Sequence, residues 1–127
     1  MIVVDASAAL TALLTNGPAR RAVAGQSLHA PHLIDPEVAN GLRRRVAAGD
    51  VGDEQAWEIL DVWRHLAITR YPVVGLISRL WELRNNVSSY DASYVALAEL
   101  LDCELLTADA RLARAPGLRC PVTVVPA

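Results

Sequence analysis

The chain has 127 residues, a length that supports one compact domain with a buried core and is short for two. Hydrophobic residues make up 53% of the sequence, but charges, Gly or Pro interrupt every apolar run well before the roughly 18 residues that a membrane-spanning helix needs. A net charge of −2 excludes nucleic-acid binding driven by overall charge, and the absence of lysine excludes P-loop and Schiff-base chemistry, because both require that residue.

The N-terminal residues do not have the pattern of an export signal. They lack a basic n-region and a cleavage site, and Asp5 interrupts the stretch that should be continuously apolar. We therefore expect a cytoplasmic protein. Cys103 and Cys120 have neither C-x-x-C spacing nor a neighbouring histidine, so each is expected to be a buried thiol without a role in the chemistry.

The first thirty residues predict two strands and two helices. An apolar run at residues 2–4 is the first strand, and residues 7–14, with Ala and Leu on one face, form a helix that ends at residues 16–18, Asn-Gly-Pro. A short helix over residues 19–24 and a strand over residues 27–30 follow.

The next helix, which runs towards Gly49, has a strong start signal. Asp35 can cap it, Pro36 suits its first position and Glu37 lies in its first turn.

The rest of the chain continues the alternation of helices and strands. The predicted elements are, in order, a helix over 53–66, a strand over 67–70, a helix after Pro72 that ends at 83, a polar loop over 85–89, a helix over 92–101 that is apolar on nearly all sides, and strands over 104–107 and 122–125. This alternation predicts an α/β fold with a mostly parallel sheet of four to five strands and helices on both faces.

Four carboxylate residues lie where a strand ends or a helix begins, namely Asp5, Glu37, Asp91 and Asp109. Right-handed crossovers bring the carboxyl ends of all strands to one edge of a parallel sheet, so we expect Asp5 and Asp109 to share a crevice. Glu37 and Asp91 can join them from helix N-termini, where the helix dipole favours negative charge. Four neighbouring carboxylates repel one another, and a divalent cation relieves that repulsion. The pattern predicts a Mg²⁺ or Mn²⁺ site able to hydrolyse a nucleic-acid backbone.

Each acid also has a simpler explanation, which is that it caps a helix. Asp5 can cap the helix at 7–14, and Asp91 and Asp109 have the same alternative. The joint placement of four acids at one edge favours the metal site, because capping does not require it. Asp35 is instead assigned to a helix cap, because Pro36 follows it directly.

Three arginines are candidates for contacts with nucleic-acid phosphates: Arg43, Arg44 and Arg84. Successive helical residues point about 100° apart, so the run at 43–45 cannot all face one phosphate, and a solvated helix face is an equal alternative. An aromatic content of 5% argues against a base-stacking platform. A helical stripe is assigned to the core in preference to a subunit or partner contact; its members are Ile59, Leu60, Trp63 and Leu66.

Four segments, in order along the chain, carry a family resemblance: VVDASAAL, PEVANGLRR, YDASYVALAE and LLTADARL. In these segments and their spacing the chain resembles the PIN domain and, within that family, the VapC-type toxins of bacterial toxin–antitoxin pairs. The resemblance covers essentially the whole chain, so we expect residues 1–127 to form one PIN domain.

The resemblance implies a toxic endoribonuclease that cleaves cellular RNA, such as tRNA or ribosomal RNA, and stops translation. It implies that Asp5, Glu37, Asp91 and Asp109 bind one or two Mg²⁺ or Mn²⁺ ions, with Ser7 and Thr107 as supporting hydroxyls. It also implies a VapB-like antitoxin whose tail crosses the active-site groove, a toxin homodimer, and a heterotetramer or larger assembly of toxin with antitoxin.

Other classes fit the sequence less well. A phosphorelay receiver domain needs a lysine in its acidic site, and this chain has none. A haloacid-dehalogenase-like phosphatase needs D-x-D after its first strand, where this chain has Asp5-Ala6-Ser7. A PIN-like scaffold that binds RNA or a partner without cleaving it is the main alternative to the nuclease.

Overall fold

A computed structural model describes all residues, 1–127, and shows five parallel strands separated along the chain by one or two α-helices, seven in all. The strands are β1 (Ile2–Val4), β2 (Leu28–Pro31), β3 (Ile68–Tyr71), β4 (Glu104–Thr107) and β5 (Val122–Val124). The helices are α1 (Ala6–Leu14), α2 (Pro18–Val23), α3 (Ile34–Ala47), α4 (Asp53–Arg64), α5 (Ile77–Glu82), α6 (Ser89–Leu100) and α7 (Ala110–Ala113), and a 3-10 turn (Val74–Leu76) precedes α5. The predicted α/β class is confirmed, with every strand pair parallel.

The sheet has the strand order β3-β2-β1-β4-β5, so β1 lies at its centre. Val3 is in register with His29 of β2 on one side and with Leu105 of β4 on the other. The chain adds β2 and β3 on one side of β1 and then crosses to place β4 and β5 on the other. The order therefore reverses between β1 and β4, and in open α/β sheets the crevice at the carboxyl ends of such a pair is where ligands bind.

Helices cover both faces of the sheet, as predicted. Ile2, Val3 and Val4 are all at most 3% exposed, and successive strand side chains point to opposite faces, so both faces of β1 are buried. α6 packs against β1, β2 and β4, and its residues 92–98 are all buried, which agrees with a helix that is apolar on nearly all sides. None of the helices combines the length and the apolar character that a membrane crossing requires.

The prediction that Asp35 caps α3 is wrong. The helix begins at Ile34, and no side chain caps it. The Asp35 carboxylate instead accepts hydrogen bonds from Trp63 Nε1 at 2.8 Å and from Arg70 Nε and Nη2 at 2.7 and 2.8 Å. A two-pronged, charge-assisted pair with a distant arginine outweighs one local capping bond, and it ties α3 to α4 and β3.

Two other local predictions need adjustment. α6 starts three residues earlier than predicted, because the Ser88 side chain caps it by accepting from the Asp91 amide, and Asp91 lies in its first turn. In the predicted apolar stripe, Trp63 is 3% exposed and belongs to the core, whereas Ile59 and Leu60 are half-buried and Leu66 is 41% exposed.

Candidate active site

A cleft of about 530 Å³ opens at the carboxyl ends of β1 and β4, where the strand order reverses. The starts of α1, α3, α6 and α7 form its walls, and each contributes one carboxylate that lines the cleft: Asp5, Glu37, Asp91 and Asp109. The structure therefore brings together the four acids that the sequence singles out.

Asp5 is the most enclosed of the four, at 6% exposure. Its Oδ1 accepts hydrogen bonds from the Ala8 amide at 2.9 Å and from Ser7 Oγ at 2.7 Å, and its Oδ2 accepts one from Thr107 Oγ1 at 2.5 Å. The amide bond is the N-terminal cap of α1. Capping the helix and lining the cleft are therefore compatible roles for this residue.

The hydroxyls that contact Asp5 also connect the two sides of the cleft. Ser7 Oγ accepts from the Ala108 amide at 2.9 Å, and Thr107 Oγ1 accepts from the Asp109 amide at 3.0 Å. Each hydroxyl thus donates to a carboxylate of one loop and accepts from the backbone of the other. This network fixes the β1–α1 turn against the β4–α7 turn.

Glu37 lies in the first turn of α3 and is half-buried against α6. Its Oε1 accepts a hydrogen bond from Tyr94 Oη at 2.5 Å, within the range of a charge-assisted O–H···O⁻ bond. Tyr94 also lines the cleft and is otherwise buried in the core, at 1% exposure. Sequence reasoning missed it, although its position three residues after Asp91 on a helix is a usable signal.

Asp91 and Asp109 are the other two carboxylate residues of the cleft. Asp91 lies in the first turn of α6, where the helix dipole favours a negative charge. Asp109 caps α7 by accepting from the Arg111 amide at 2.9 Å. The Arg111 guanidinium also reaches both carboxylate oxygens of Asp109, at 3.2 Å each.

Charge in the cleft is unevenly compensated. Burial raises the pKa of Asp5, Glu37 and Asp91, and a neighbouring carboxylate of the cleft raises each of these pKa values further. The hydrogen bond from Arg111 instead lowers the pKa of Asp109. The first three carboxylates are therefore costly to ionise together, which is the electrostatic condition that a divalent cation relieves.

The donor set fits a hard divalent cation in its chemistry, since carboxylate and hydroxyl oxygens converge on the cleft without sulfur or imidazole. No group of three or more His, Cys, Asp or Glu side chains is close enough together to hold a metal ion as it stands. Mg²⁺ does not need such a cage, because it keeps several waters and is usually bound through one or two carboxylates. The residues fit a hydrated Mg²⁺ or Mn²⁺ ion.

Three arginines line the cleft, of which only Arg44 was singled out from the sequence. It lies seven residues after Glu37, two turns along the same helix, and its positive charge opposes the burial that raises the pKa of Glu37. The other two are Arg45 and Arg111, and the position of Arg111 two residues after Asp109 in a capping turn could have indicated it.

The remaining two candidate arginines do not line the cleft. Arg43 is exposed and donates from Nε to Asn40 Oδ1 at 2.9 Å. The Arg84 guanidinium lies 4.5 Å from the centroid of the Trp81 ring and donates to the Trp81 carbonyl. Arg84 therefore contacts α5 and not the cleft.

Comparison with known proteins agrees with this architecture. A family model described as PIN domain matches residues 2–118. The chain is 58% identical to Ribonuclease VapC9 of Mycobacterium tuberculosis over 99% of each chain, and 47% identical to Ribonuclease VapC1 of the same organism over 97% of this chain and 96% of that one. In the solved structure of VapBC2 from Rickettsia felis, a chain aligns with a TM-score of 0.71 at 13% identity, over 97% of this chain and 98% of that one, a likeness of fold.

The order of strands, the acidic cleft and the family match together define a PIN domain. At 58% identity over 99% of both chains, the protein belongs to the VapC family of ribonucleases, as its sequence motifs predict.

Proposed function

We propose that this protein is a metal-dependent endoribonuclease that hydrolyses phosphodiester bonds in cellular RNA. The observation that carries the proposal is the convergence of four carboxylates from four separate helix starts on one cleft, in a member of a ribonuclease family. Three of these carboxylates have raised pKa values, and a bound Mg²⁺ or Mn²⁺ ion would balance their charge.

In this proposal Asp5, Glu37, Asp91 and Asp109 hold the metal, and Ser7 and Thr107 orient Asp5 as supporting hydroxyls. When bound, the cation would place positive charge at the scissile phosphate and acidify the attacking water. Arg44, at the edge of the cleft, would contact a neighbouring RNA phosphate.

We propose that cleavage of tRNA or ribosomal RNA inhibits translation, and that a VapB-like antitoxin neutralises the protein. The chain exposes two apolar surfaces that can serve the antitoxin and a toxin homodimer. One is a groove of about 620 Å³ between α1, α2 and α4, with Val62 at 55% exposure. The other is on α5 and the turn before it, where Val74 is 78% and Trp81 is 68% exposed. Large exposed apolar patches are uncommon on free monomers.

Two matched substitutions, each of which introduces a charge, test which surface forms the toxin dimer and which binds the antitoxin. Val62→Glu and Trp81→Glu each place a carboxylate on one surface and leave the cleft unchanged. Sedimentation of the free toxin and co-purification with a VapB-like antitoxin are then measured for both variants. Loss of the dimer by one variant and of the antitoxin by the other supports two separate interfaces and a heterotetramer or larger complex. Retention of both contacts in both variants contradicts the assignment.

The nuclease itself is tested with the purified protein, free of any partner. Total cellular RNA is incubated with it in Mg²⁺, in Mn²⁺ or in EDTA, beside Asp5→Asn and the control Asp50→Asn, which changes an exposed residue in the turn after α3. We expect discrete fragments that require the metal, are lost in Asp5→Asn and persist in the control. Intact RNA in every lane, from a folded protein that binds Mn²⁺, would support the binding-scaffold alternative.

A further inference from the structure

The hydroxyl of Tyr94 is a polar group at the end of a side chain that is otherwise part of the core. Tyr94 is among the largest fully buried side chains of the protein, at 1% exposure, and it lines the cleft from α6, a helix that packs against the sheet. Its Oη donates to Glu37 Oε1 at 2.5 Å, across 57 residues of sequence. A phenylalanine would fill the same space, so the hydroxyl needs an explanation beyond packing.

Glu37 depends on this contact for its orientation. The bond from Tyr94 is the only hydrogen bond of the Glu37 side chain, and Glu37 forms no ion pair. A glutamate has three rotatable side-chain bonds, so without a partner its carboxylate would sample several directions. Tyr94 contacts only Oε1, and the second oxygen, Oε2, has no hydrogen-bond partner and is free to bind a ligand in the cleft.

α6 presents both Tyr94 and Asp91 on one face, since residues three apart on a helix are neighbours. The segment that includes Tyr94 is buried from residue 92 to residue 98 and packs against three strands of the sheet. The helix therefore supplies one carboxylate directly and fixes the direction of a second through a rigid tyrosine. Hydrogen-bonded partners of this kind generally orient metal ligands and tune their affinity.

We propose that Tyr94 is a positioning residue, which holds Glu37 so that one carboxylate oxygen faces the cleft as a single-oxygen ligand. This inference rests on the proposed metal site and adds a residue that the acidic quartet does not include. Burial and the nearby carboxylates raise the pKa of Tyr94, so its hydroxyl remains a donor at neutral pH.

The test compares Tyr94→Phe with Tyr71→Phe. The control removes a tyrosine hydroxyl that is also hydrogen-bonded, to His29 Nδ1 at 2.6 Å, but does not line the cleft. Mn²⁺ affinity is measured by calorimetry without RNA, and kcat and KM are measured with RNA. We expect Tyr94→Phe to weaken Mn²⁺ binding about tenfold and to lower kcat while KM is unchanged, because a side chain that is 1% exposed offers almost no surface to RNA. Tyr71→Phe should match the wild type within about twofold.

A double-mutant cycle with Glu37→Gln separates positioning from general loss of structure. If Tyr94 acts through Glu37, then Tyr94→Phe should change Mn²⁺ affinity little in the Glu37→Gln background. An equal tenfold loss in both backgrounds overturns the proposal, and so does normal Mn²⁺ affinity of Tyr94→Phe in a wild-type background that binds and cleaves. A wild-type protein that neither binds Mn²⁺ nor cleaves RNA contradicts the proposed function itself.

Discussion

Thr107, the last residue of β4, donates a hydrogen bond to the carboxylate of Asp5, the residue that follows β1. The two residues are 102 positions apart in sequence, and they are 0% and 6% exposed. The bond joins the carboxyl ends of β1 and β4, where the strand order reverses. Asp5 can stay buried there because both of its oxygens have donors.

Replacement of Thr107 by Val removes the donor and keeps the shape of the side chain. We expect the free energy of unfolding to fall by about 1–3 kcal/mol, because a buried carboxylate loses a hydrogen bond that water cannot replace. Urea denaturation measures the change. Thr123→Val on β5 is the control, since its hydroxyl donates to Glu104 at an exposed site, and it should change stability by at most about 0.5 kcal/mol. Equal losses in the two variants would contradict a special role of the bond to Asp5.

The charge state of Asp91 predicts how stability depends on pH without metal. Burial and the charge of Asp109 raise the pKa of Asp91 above its value in the unfolded chain, about 3.9. A raised pKa means that the folded state binds the proton more tightly. The contribution of this group to stability is therefore present below the unfolded pKa and is lost as the pH rises through the folded pKa.

Asp91→Asn should accordingly be more stable than the wild type at pH 7 in EDTA, and the difference should shrink towards pH 4. Thermal unfolding of both proteins across this range measures it, with Asp50→Asn, at an exposed residue outside the cleft, as the control. Saturating Mn²⁺ at pH 7 should reverse the order, because only the wild type retains the full carboxylate set. A wild type that is more stable than Asp91→Asn in EDTA at every pH would contradict the prediction that the ionised Asp91 carboxylate destabilises the folded protein.

The fold could be predicted because its signals are local and repeated. Apolar β-runs alternate with helices, and a strand such as β1, whose three residues are all buried, has the continuous apolar pattern of a parallel strand. Asp5 and Asp109 were found for the same reason, since the polar residue that follows such a strand lies at a known edge of the sheet.

Pairings between distant residues could not be predicted in the same way. Asp35 has the local pattern of a cap, but Arg70 and Trp63, which bind it, lie 35 and 28 residues away. Tyr94 has the pattern of a core residue. Its hydroxyl has a partner only because the fold brings Glu37, 57 residues away in sequence, into hydrogen-bond contact. Where a long-range hydrogen bond is charge-assisted, it outweighs the local preference of a residue for a helix cap or for the core.

The contacts of Asp35 therefore predict that its substitution affects stability and Mn²⁺ affinity in the opposite way to substitution of a cleft acid. Arg70 lowers its pKa, and its side chain is 42% exposed, so we expect Asp35→Asn to cost only about 1 kcal/mol of stability and to leave Mn²⁺ affinity unchanged. Because the pKa is lowered, the loss should be present near neutral pH and disappear as the pH falls through the folded pKa. Urea unfolding and calorimetry measure the two quantities. A large loss of Mn²⁺ affinity would show that Asp35 belongs to the metal site after all.

Arg111 places a positive charge directly on one of the proposed metal ligands. It reaches both oxygens of Asp109 at 3.2 Å, while its own side chain is 85% exposed. A cation entering the cleft must compete with this guanidinium for Asp109. Once the cation has displaced it, the Arg111 guanidinium is free to bind a phosphate of RNA in the same cleft. The same residue should therefore oppose metal binding and favour RNA binding.

Arg111→Ala should tighten Mn²⁺ binding about threefold and weaken RNA binding, with a smaller dependence of RNA affinity on salt. Calorimetry with Mn²⁺ and RNA binding at two salt concentrations, using a cleavage-deficient Asp5→Asn background for the RNA, measure the two effects. Arg64→Ala is the matched control, because Arg64 also pairs with a nearby aspartate, Asp61 at 2.6 Å, on an exposed surface of α4 that lies outside the cleft. If Arg111→Ala weakens Mn²⁺ binding instead, the arginine holds Asp109 in its ligand conformation and does not compete with the metal.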